Sequence, residues 1–168
     1  MTETLLALDL SLSSTGYAVI QWNKKKQKAT VLKVGNIDNK KQGRASWNHG
    51  KKLLNIHLQL SELFSEFQID RVVREQGFSR FNKATQALFR VVGIADFVVE
   101  KEIQQSITEY SVTTVKKAIT GNGKADKQEV AIKIDQYLTE KVEFSVDDES
   151  DAVAVGICHY LKTGGVAE

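Results

Sequence analysis

The sequence predicts an α/β fold in which a mixed five-stranded sheet is flanked by helices. Three short apolar runs separated by polar turns open the chain, which is typical of consecutive antiparallel strands. Segments with apolar residues at spacings of three and four then alternate with two more short apolar runs, which indicates helices joining strands that lie parallel. The 168 residues, of which 42% are hydrophobic and 26% charged, suit one domain over residues 1–168.

The first half of the chain is predicted to contain three strands and one helix. Apolar and β-branched runs at 5–11, 15–22 and 28–37 are separated by a serine-rich turn and a lysine-rich turn, which favours an antiparallel meander. A polar loop then leads into a helix from about Ala45 to Phe67. Apolar residues recur in this helix at spacings of three and four, namely Leu53, Ile56, Leu60, Leu63, Phe64 and Phe67.

The second half continues the alternation of strands and helices. A fourth strand is predicted at 70–78 and a fifth at 107–112, because both are short runs of β-branched or apolar residues. Between them an apolar stripe at helical spacing predicts a long helix over about 82–105. Three further helices are expected at 113–119, 127–138 and 147–161.

The long helix carries an aromatic residue and a glycine on the side away from its apolar stripe. Phe89 and Gly93 are four positions apart, so they share one face of the helix. This pair favours close packing against another helix, and a second copy of this chain could supply it. A single exposed phenylalanine is also common in monomers, so the residues alone leave dimerisation open.

Composition excludes several classes of protein. No apolar run approaches the roughly 20 residues of a membrane helix, so we expect no membrane partner. Glu3 stands where a signal peptide would carry basic residues, and we therefore expect a cytoplasmic location, which for a viral protein means the host cytoplasm. Cys158 is the only cysteine, which excludes an intramolecular disulfide and a cysteine zinc site.

Charge is nearly balanced but unevenly distributed. The 23 Lys and Arg residues almost cancel the 21 Asp and Glu residues, whereas acidic residues concentrate near the C-terminus. This separation fits a nuclease, which needs cations to hold phosphate and acids to hold metal, although solvated turns would also explain it. The basic clusters are Lys24, Lys25, Lys26 and Lys28; Lys40, Lys41 and Arg44; and Lys116, Lys117, Lys124 and Lys127.

Four carboxylates stand beside apolar segments, where an ionised group is costly. Asp9 lies within the strand LLALDLS, and Glu75 ends an apolar strand. Asp148 and Asp151 are three apart on one face of the last helix. Each alone has an ordinary explanation: a turn cap, an ion pair with a neighbouring arginine, or a favourable position at the positive end of a helix.

The four carboxylates would converge if the first and fourth strands are neighbours and the last helix begins at their edge. Carboxylates at such short range raise one another's pKa, so they could not all ionise without cations. Hard oxygen ligands favour Mg²⁺ or Mn²⁺. Two such ions about 3.5–4 Å apart are the arrangement that cleaves phosphodiesters in many nucleases.

Through these residues the chain resembles RuvC-type Holliday junction resolvases, a family with the ribonuclease H fold. Four segments in the family's order carry the resemblance over about residues 4–162. The segments are LALDLSLSSTGYAVI with Asp9 and Gly16, REQGF with Glu75 and Phe78, VKKAITGNGKADKQEV with Lys116 and Lys127, and DDESDAVAVGICH with Asp148 and Asp151.

The resemblance implies a homodimeric endonuclease, with a ribonuclease H-like fold, that binds four-way DNA junctions and resolves them by paired symmetric nicks. The four carboxylates would hold two Mg²⁺ or Mn²⁺ ions per active site, and Lys127 would share in catalysis. Phe78 would stack on a base opened at the crossover, although a core role is the plain alternative. The residues expected to contact DNA are Phe78, Arg80, Lys83, Lys116, Lys117, Lys124 and Lys127.

The sequence also departs from the family. Leu10 and Ser11 stand where the family has Pro-Gly, so the turn after Asp9 cannot depend on the positive φ of a glycine. The absence of proline and the long lysine-rich turn suggest a divergent branch, such as one encoded by a phage. The alternative function is a nuclease or binding protein for forks and flaps with little sequence preference. An actin-like kinase would need two domains and a much longer chain.

Overall fold

The computed structural model describes residues 2–41, 43–77 and 82–164, which build one five-stranded sheet covered by helices on both faces. The strands are β1 (Thr4–Asp9), β2 (Ser14–Asn23), β3 (Lys28–Asp38), β4 (Arg71–Gln76) and β5 (Thr108–Ser111). Their order across the sheet is β3-β2-β1-β4-β5. The first three strands pair antiparallel, whereas β4 runs parallel to β1 and β5 runs parallel to β4. The predicted mixed sheet is confirmed.

Within the described residues, five α-helices connect or follow the strands. They are α1 (His49–Glu66), α2 (Asn82–Ile103), α3 (Val112–Thr120), α4 (Lys127–Ile134) and α5 (Asp147–Thr163). The start of α1 lies after the predicted Ala45, because Asn48 caps the helix by accepting a hydrogen bond from the backbone N–H of Lys51. The helix predicted over 127–138 ends at Ile134, where the chain tightens into a 3-10 turn.

Alternation along β1 divides the core into two layers. Leu5 and Ala7 face the cluster that contains α3, α4 and α5, whereas Leu6 and Leu8 face α1 and α2. All four side chains are fully buried. Asp9 continues the series of Leu5 and Ala7, so the pleat directs its side chain toward the layer of α5.

Helix α5 lies against the sheet at unusually short range. A Cβ on Gly156 would stand 2.3 Å from Cδ1 of Ile20 and 3.1 Å from Cβ of Ala7. A Cβ on Gly16 would stand only 1.9 Å from the backbone carbonyl oxygen of Asp148. Glycine at these two positions therefore lets the first and middle turns of α5 approach β1 and β2. Among the helices within the described ranges, none combines the length and apolar character required to cross a membrane.

We expect Gly16→Ala to destabilise the protein, because the added methyl group would collide with the backbone of α5. An overpacked site typically costs about 1–3 kcal/mol, which for this chain length would lower the Tm by roughly 2–12 °C. Thermal unfolding followed by circular dichroism measures the change. Gly50→Ala is the matched control, because its new Cβ would have 3.4 Å to its nearest neighbour, Oδ1 of Asn48. An unchanged Tm for Gly16→Ala would contradict the close approach.

Candidate active site

The sheet brings Asp9 and Glu75 to the same edge. Strands β1 and β4 pair in parallel with Leu8 opposite Arg74, so the next residue of each strand lies at the same level. Glu75 is two positions after Val73, which packs in the α5 layer, and the pleat therefore directs it to the same side as Asp9. Two carboxylates from distant parts of the chain consequently face the first turns of α5.

The acidic start of α5 supplies two more carboxylates to this edge. Asp148 approaches Gly16 through its backbone, and the negative charges of Asp148 and Asp151 both act on Asp9. We call Asp9, Glu75, Asp148 and Asp151 the carboxylate site.

The other two acids of the same stretch have different environments. Glu149 is 6% exposed, and its Oε2 accepts a 2.7 Å hydrogen bond from the backbone N–H of Ser145, so it ties the first turn of α5 to the segment that precedes the helix. Asp147 is exposed.

Burial and mutual repulsion change the protonation of the site. Burial first, and then the charges of Glu75, Asp151 and Asp148, raise the pKa of Asp9 to about 7, against the opposing effect of Lys127. Burial and the charge of Asp151 raise the pKa of Glu75 to about 7 as well. Without a bound cation, the protonated and ionised forms of each group are therefore comparably populated near neutral pH.

Two of the predicted lysines lie beside the carboxylates. Nζ of Lys127 donates a hydrogen bond to Oδ2 of Asp151 at 2.7 Å, which raises the pKa of that lysine. A cavity of about 40 Å³ is lined by Glu75, Asp151, Lys116 and Lys127 together with apolar residues. Lys116 in the middle of α3 and Lys127 at the start of α4 thus place positive charge beside the site.

Three other lysines predicted to contact DNA do not line this cavity. Lys83 in the first turn of α2, Lys117 on α3 and Lys124 in the loop before α4 are exposed. Phe78 and Arg80 lie outside the described residues.

The basic clusters fall at both ends of the sheet. The residues of the lysine-rich turn between β2 and β3, 24–27, lie at the end opposite the carboxylate site, because β2 starts beside Asp9 and runs away from it. Lys40, Lys41 and Arg44 follow the end of β3 at the carboxylate end. The turn at 24–27 therefore cannot hold phosphate at the carboxylate site of its own chain.

The loop after Asp9 is built without glycine. Oγ1 of Thr15 donates to the carbonyl of Ser11 at 2.7 Å and accepts from the N–H of Ser11 at 3.2 Å. Asn39 is fully buried, and its side chain donates to the carbonyl of Leu12 at 2.9 Å. Leu10 and Ser11 have no positive φ, so this loop does not need the backbone conformation that favours glycine. Hydrogen bonds from Thr15 and Asn39 hold its shape instead.

The carboxylate site has the donor chemistry of a hard divalent cation. Within ranges 2–41, 43–77 and 82–164, no three His, Cys, Asp or Glu side chains are arranged to hold a metal ion as they stand. Asp148 and Asp151 are instead engaged by Ser14 and Lys127. The four carboxylates still fit Mg²⁺ or Mn²⁺ in donor type and charge, since a cation would offset the repulsion that raises the pKa of Asp9 and Glu75.

The sequence did not reveal the residues that hold Asp148. Oγ of Ser14 donates to Oδ2 of Asp148 at 2.5 Å, and Nδ2 of Asn36 donates to Oγ of Ser14 at 3.0 Å. Ser14 and Asp148 are 134 positions apart, and nothing in the local pattern around either residue indicates the contact.

Comparison with known proteins shows similarity over most of the chain. A family model described as crossover junction endodeoxyribonuclease RuvC matches residues 5–159. The RuvC of Ehrlichia ruminantium is 32% identical over 159 residues, covering 92% of this chain and 94% of that protein. The RuvC of Rhodopirellula baltica is 30% identical over 166 residues, covering 96% and 89%.

Solved structures share the fold. Thermus thermophilus RuvC in complex with a Holliday junction substrate superposes with a TM-score of 0.85 at 22% identity, covering 96% of this chain and 94% of that one. The yeast mitochondrial Holliday junction resolvase superposes with a TM-score of 0.66 at 14% identity, covering 96% and 81%. The predicted ribonuclease H-like fold is therefore confirmed.

We expect Asp9→Asn to stabilise the metal-free protein more at pH 8 than at pH 4. Because the folded-state pKa of Asp9 is raised to about 7, its contribution to the unfolding free energy is full below the ordinary pKa of 3.8 and is lost as the pH rises through 7. Asparagine lacks this loss, so the Tm of Asp9→Asn relative to wild type should be higher at pH 8 than at pH 4 by at least about 5 °C, at about 1.4 kcal/mol per pH unit between the two pKa values and roughly 2–4 °C per kcal/mol. Thermal unfolding in EDTA at both pH values measures it; equal differences would contradict the raised pKa.

Proposed function

We propose that this chain, which belongs to the RuvC family of crossover junction endodeoxyribonucleases, cleaves DNA at its carboxylate site with the help of divalent cations. Family membership makes the chain a Holliday junction resolvase and a DNA endonuclease. The observation that carries the site assignment is the convergence of strands β1 and β4 with the acidic start of α5 at one sheet edge.

Two Mg²⁺ or Mn²⁺ ions are the proposed cofactors of the carboxylate site. When bound, they would supply an activated water and stabilise the leaving oxygen in phosphodiester cleavage. Asp9 and Glu75 would hold them from the sheet, and Asp148 and Asp151 from α5. The short strand ends and the buried helix fix the backbone of all four ligands, which favours a rigid site.

Lys127 and Lys116 are proposed to bind the phosphate that is cut. Nζ of Lys127 already lies within hydrogen-bonding range of the carboxylate site through Asp151, and Lys116 lines the same cavity. A phosphate held there would be within reach of both ammonium groups. A lysine in that position stabilises the negative charge that develops on the phosphate oxygens during cleavage.

The branched DNA is proposed to extend across the carboxylate end of the sheet. Lys83 lies in the first turn of α2 shortly after β4, Lys117 lies on α3 directly after β5, and Lys124 lies in the loop before α4, so all three lie on segments adjoining this end. They would contact backbone phosphates. Arg80 would do the same, and Phe78 would stack on a base opened at the crossover, on the strength of the family resemblance.

A homodimer through α2 is proposed to present two carboxylate sites to one junction. Phe89 is 64% exposed, Phe97 two turns later is 59% exposed, and Gly93 between them has nothing within 4 Å of an added Cβ. These residues form an exposed apolar face with an open central position, which a second helix could fill. Paired nicks on opposite strands require two sites of this kind.

We expect Asp9→Asn and Glu75→Gln each to abolish junction cleavage while leaving junction binding within about threefold of wild type. Each change removes one proposed metal ligand but none of the proposed phosphate contacts. Cleavage of a labelled four-way junction in Mg²⁺ and binding in Ca²⁺ are the measurements. Asp147→Asn is the matched control, since this exposed acid stands outside the carboxylate site and should retain cleavage. Normal nicking by Asp9→Asn or Glu75→Gln would contradict the proposal.

We expect Phe89→Asp to convert the dimer to a monomer and to replace paired nicking with single nicks. A charge within this apolar contact would remain unpaired and desolvated on association. Light scattering after size exclusion measures the mass, and a supercoiled cruciform substrate separates single from paired nicks. Ile132→Asp is the control, because this side chain is 72% exposed on α4. A Phe89→Asp variant that still dimerises would place the interface elsewhere.

A further inference from the structure

Asp148 is held from β2, a strand that carries none of the four carboxylates. Its backbone carbonyl closes onto Gly16, and its Oδ2 accepts the hydrogen bond of Ser14. Ser14 is 7% exposed, so the contact is largely shielded from water. Both the main chain and the side chain of Asp148 are therefore fixed by neighbouring positions of the same strand.

Asn36 determines the direction of this hydrogen bond. Its Nδ2 can only donate, and it donates to Oγ of Ser14 at 3.0 Å. The serine oxygen is thus used as an acceptor on that side, which leaves its single proton for Oδ2 of Asp148. Asn36 on β3, Ser14 on β2 and Asp148 on α5 form a chain of hydrogen bonds that crosses three elements.

The two carboxylates of α5 are held in different ways. The partner of Asp151 is Lys127, whose side chain is 68% exposed and ends in a flexible four-carbon stem. The partner of Asp148 is the short side chain of a buried serine. The carboxylate of Asp148 is consequently held in one orientation, in which Oδ1 is the oxygen that Ser14 does not contact. Lys127, in contrast, can move away from Asp151 when a ligand arrives.

We propose that Ser14, oriented by Asn36, is a positioning residue that fixes the carboxylate of Asp148 for a divalent cation. This inference rests on the proposed function of the carboxylate site. A preset ligand loses less conformational freedom on binding, and partners that orient metal ligands typically contribute about 10- to 100-fold to metal affinity or activity. Ser14 lies within the first segment that carries the family resemblance and Asn36 lies outside all four segments, and neither residue is among the proposed metal ligands.

Calorimetric titration of the full-length, DNA-free protein with Mn²⁺ tests the inference without using cleavage. Ser14→Ala should weaken Mn²⁺ binding about 10-fold, and Asn36→Ala should weaken it about 3-fold. Ser14→Thr, which keeps the hydroxyl, should bind within about 2-fold of wild type. Ser13→Ala is the matched control, because it removes a hydroxyl from the adjacent position and should leave binding unchanged.

A double-mutant cycle separates positioning from general destabilisation. In an Asp148→Asn background, Ser14→Ala should cause no further loss of Mn²⁺ affinity, since the carboxylate it orients is absent. Equal losses in both backgrounds, or wild-type affinity for Ser14→Ala, would overturn the inference. If Ser14→Ala does not fold, Ser14→Cys, which keeps the size of the side chain but donates weakly, is expected to show the same loss, and wild-type affinity in that variant would overturn it.

The same titration distinguishes the two levels of the proposal. Wild-type protein that binds no Mn²⁺, or binding that survives unchanged in Asp9→Asn, would overturn the proposed function and the inference with it. Wild-type binding that depends on Asp9 but not on Ser14 would leave the proposed function standing and overturn the role of Ser14 alone.

Discussion

Negative charge that is partly buried at one sheet edge is the constraint on which the rest of the site depends. Asp9 and Glu75 are shielded from water and repelled by Asp151, and the pKa of each is raised to about 7. Such an arrangement costs folding free energy unless positive charge compensates it. Lys127 supplies part of that compensation within the chain, and a divalent cation would supply more. The energetic cost of the site would thus also be the source of affinity for the proposed cation.

Helix packing decides where that charge accumulates. The pleat of β1 and β4 directs Asp9 and Glu75 toward α5. Gly16 and Gly156 allow α5 to approach the sheet so closely that a side chain at either position would collide with it. The first turn of the helix then closes over the strand ends. A helix set farther from the sheet would leave Asp148 and Asp151 in solvent, where four acids would repel one another little and bind cations weakly. The geometry of the core therefore creates the electrostatics of the site.

Much of this arrangement follows from the sequence, and the exceptions have physical reasons. Alternation and helical spacing predict the five strands and α5, because burial of one face requires apolar residues at regular intervals in the sequence. The acidic start of α5 does not reveal that Glu149 bonds back to Ser145 while Asp148 bonds to Ser14 on β2, since both are acids in the same turn. The start of α1 depends on one capping contact by Asn48. The Ser14 contact joins positions too far apart in the chain for any local pattern to record.

The buried Asn39 connects the loop after Asp9 to residues that are distant in the sequence. It receives support from Asn55 on α1, bonds the carbonyl of Lys52, and holds the loop through Leu12. The shape of a glycine turn is determined by its own backbone conformation, so such a turn could be exchanged between relatives as a short segment. The corresponding segment of this chain takes its shape from β3 and α1, so a chimaera that inherited residues 9–15 alone would lose it. An exchange of this loop with a relative would therefore keep the loop's shape only if Asn39 and Asn55 moved with it.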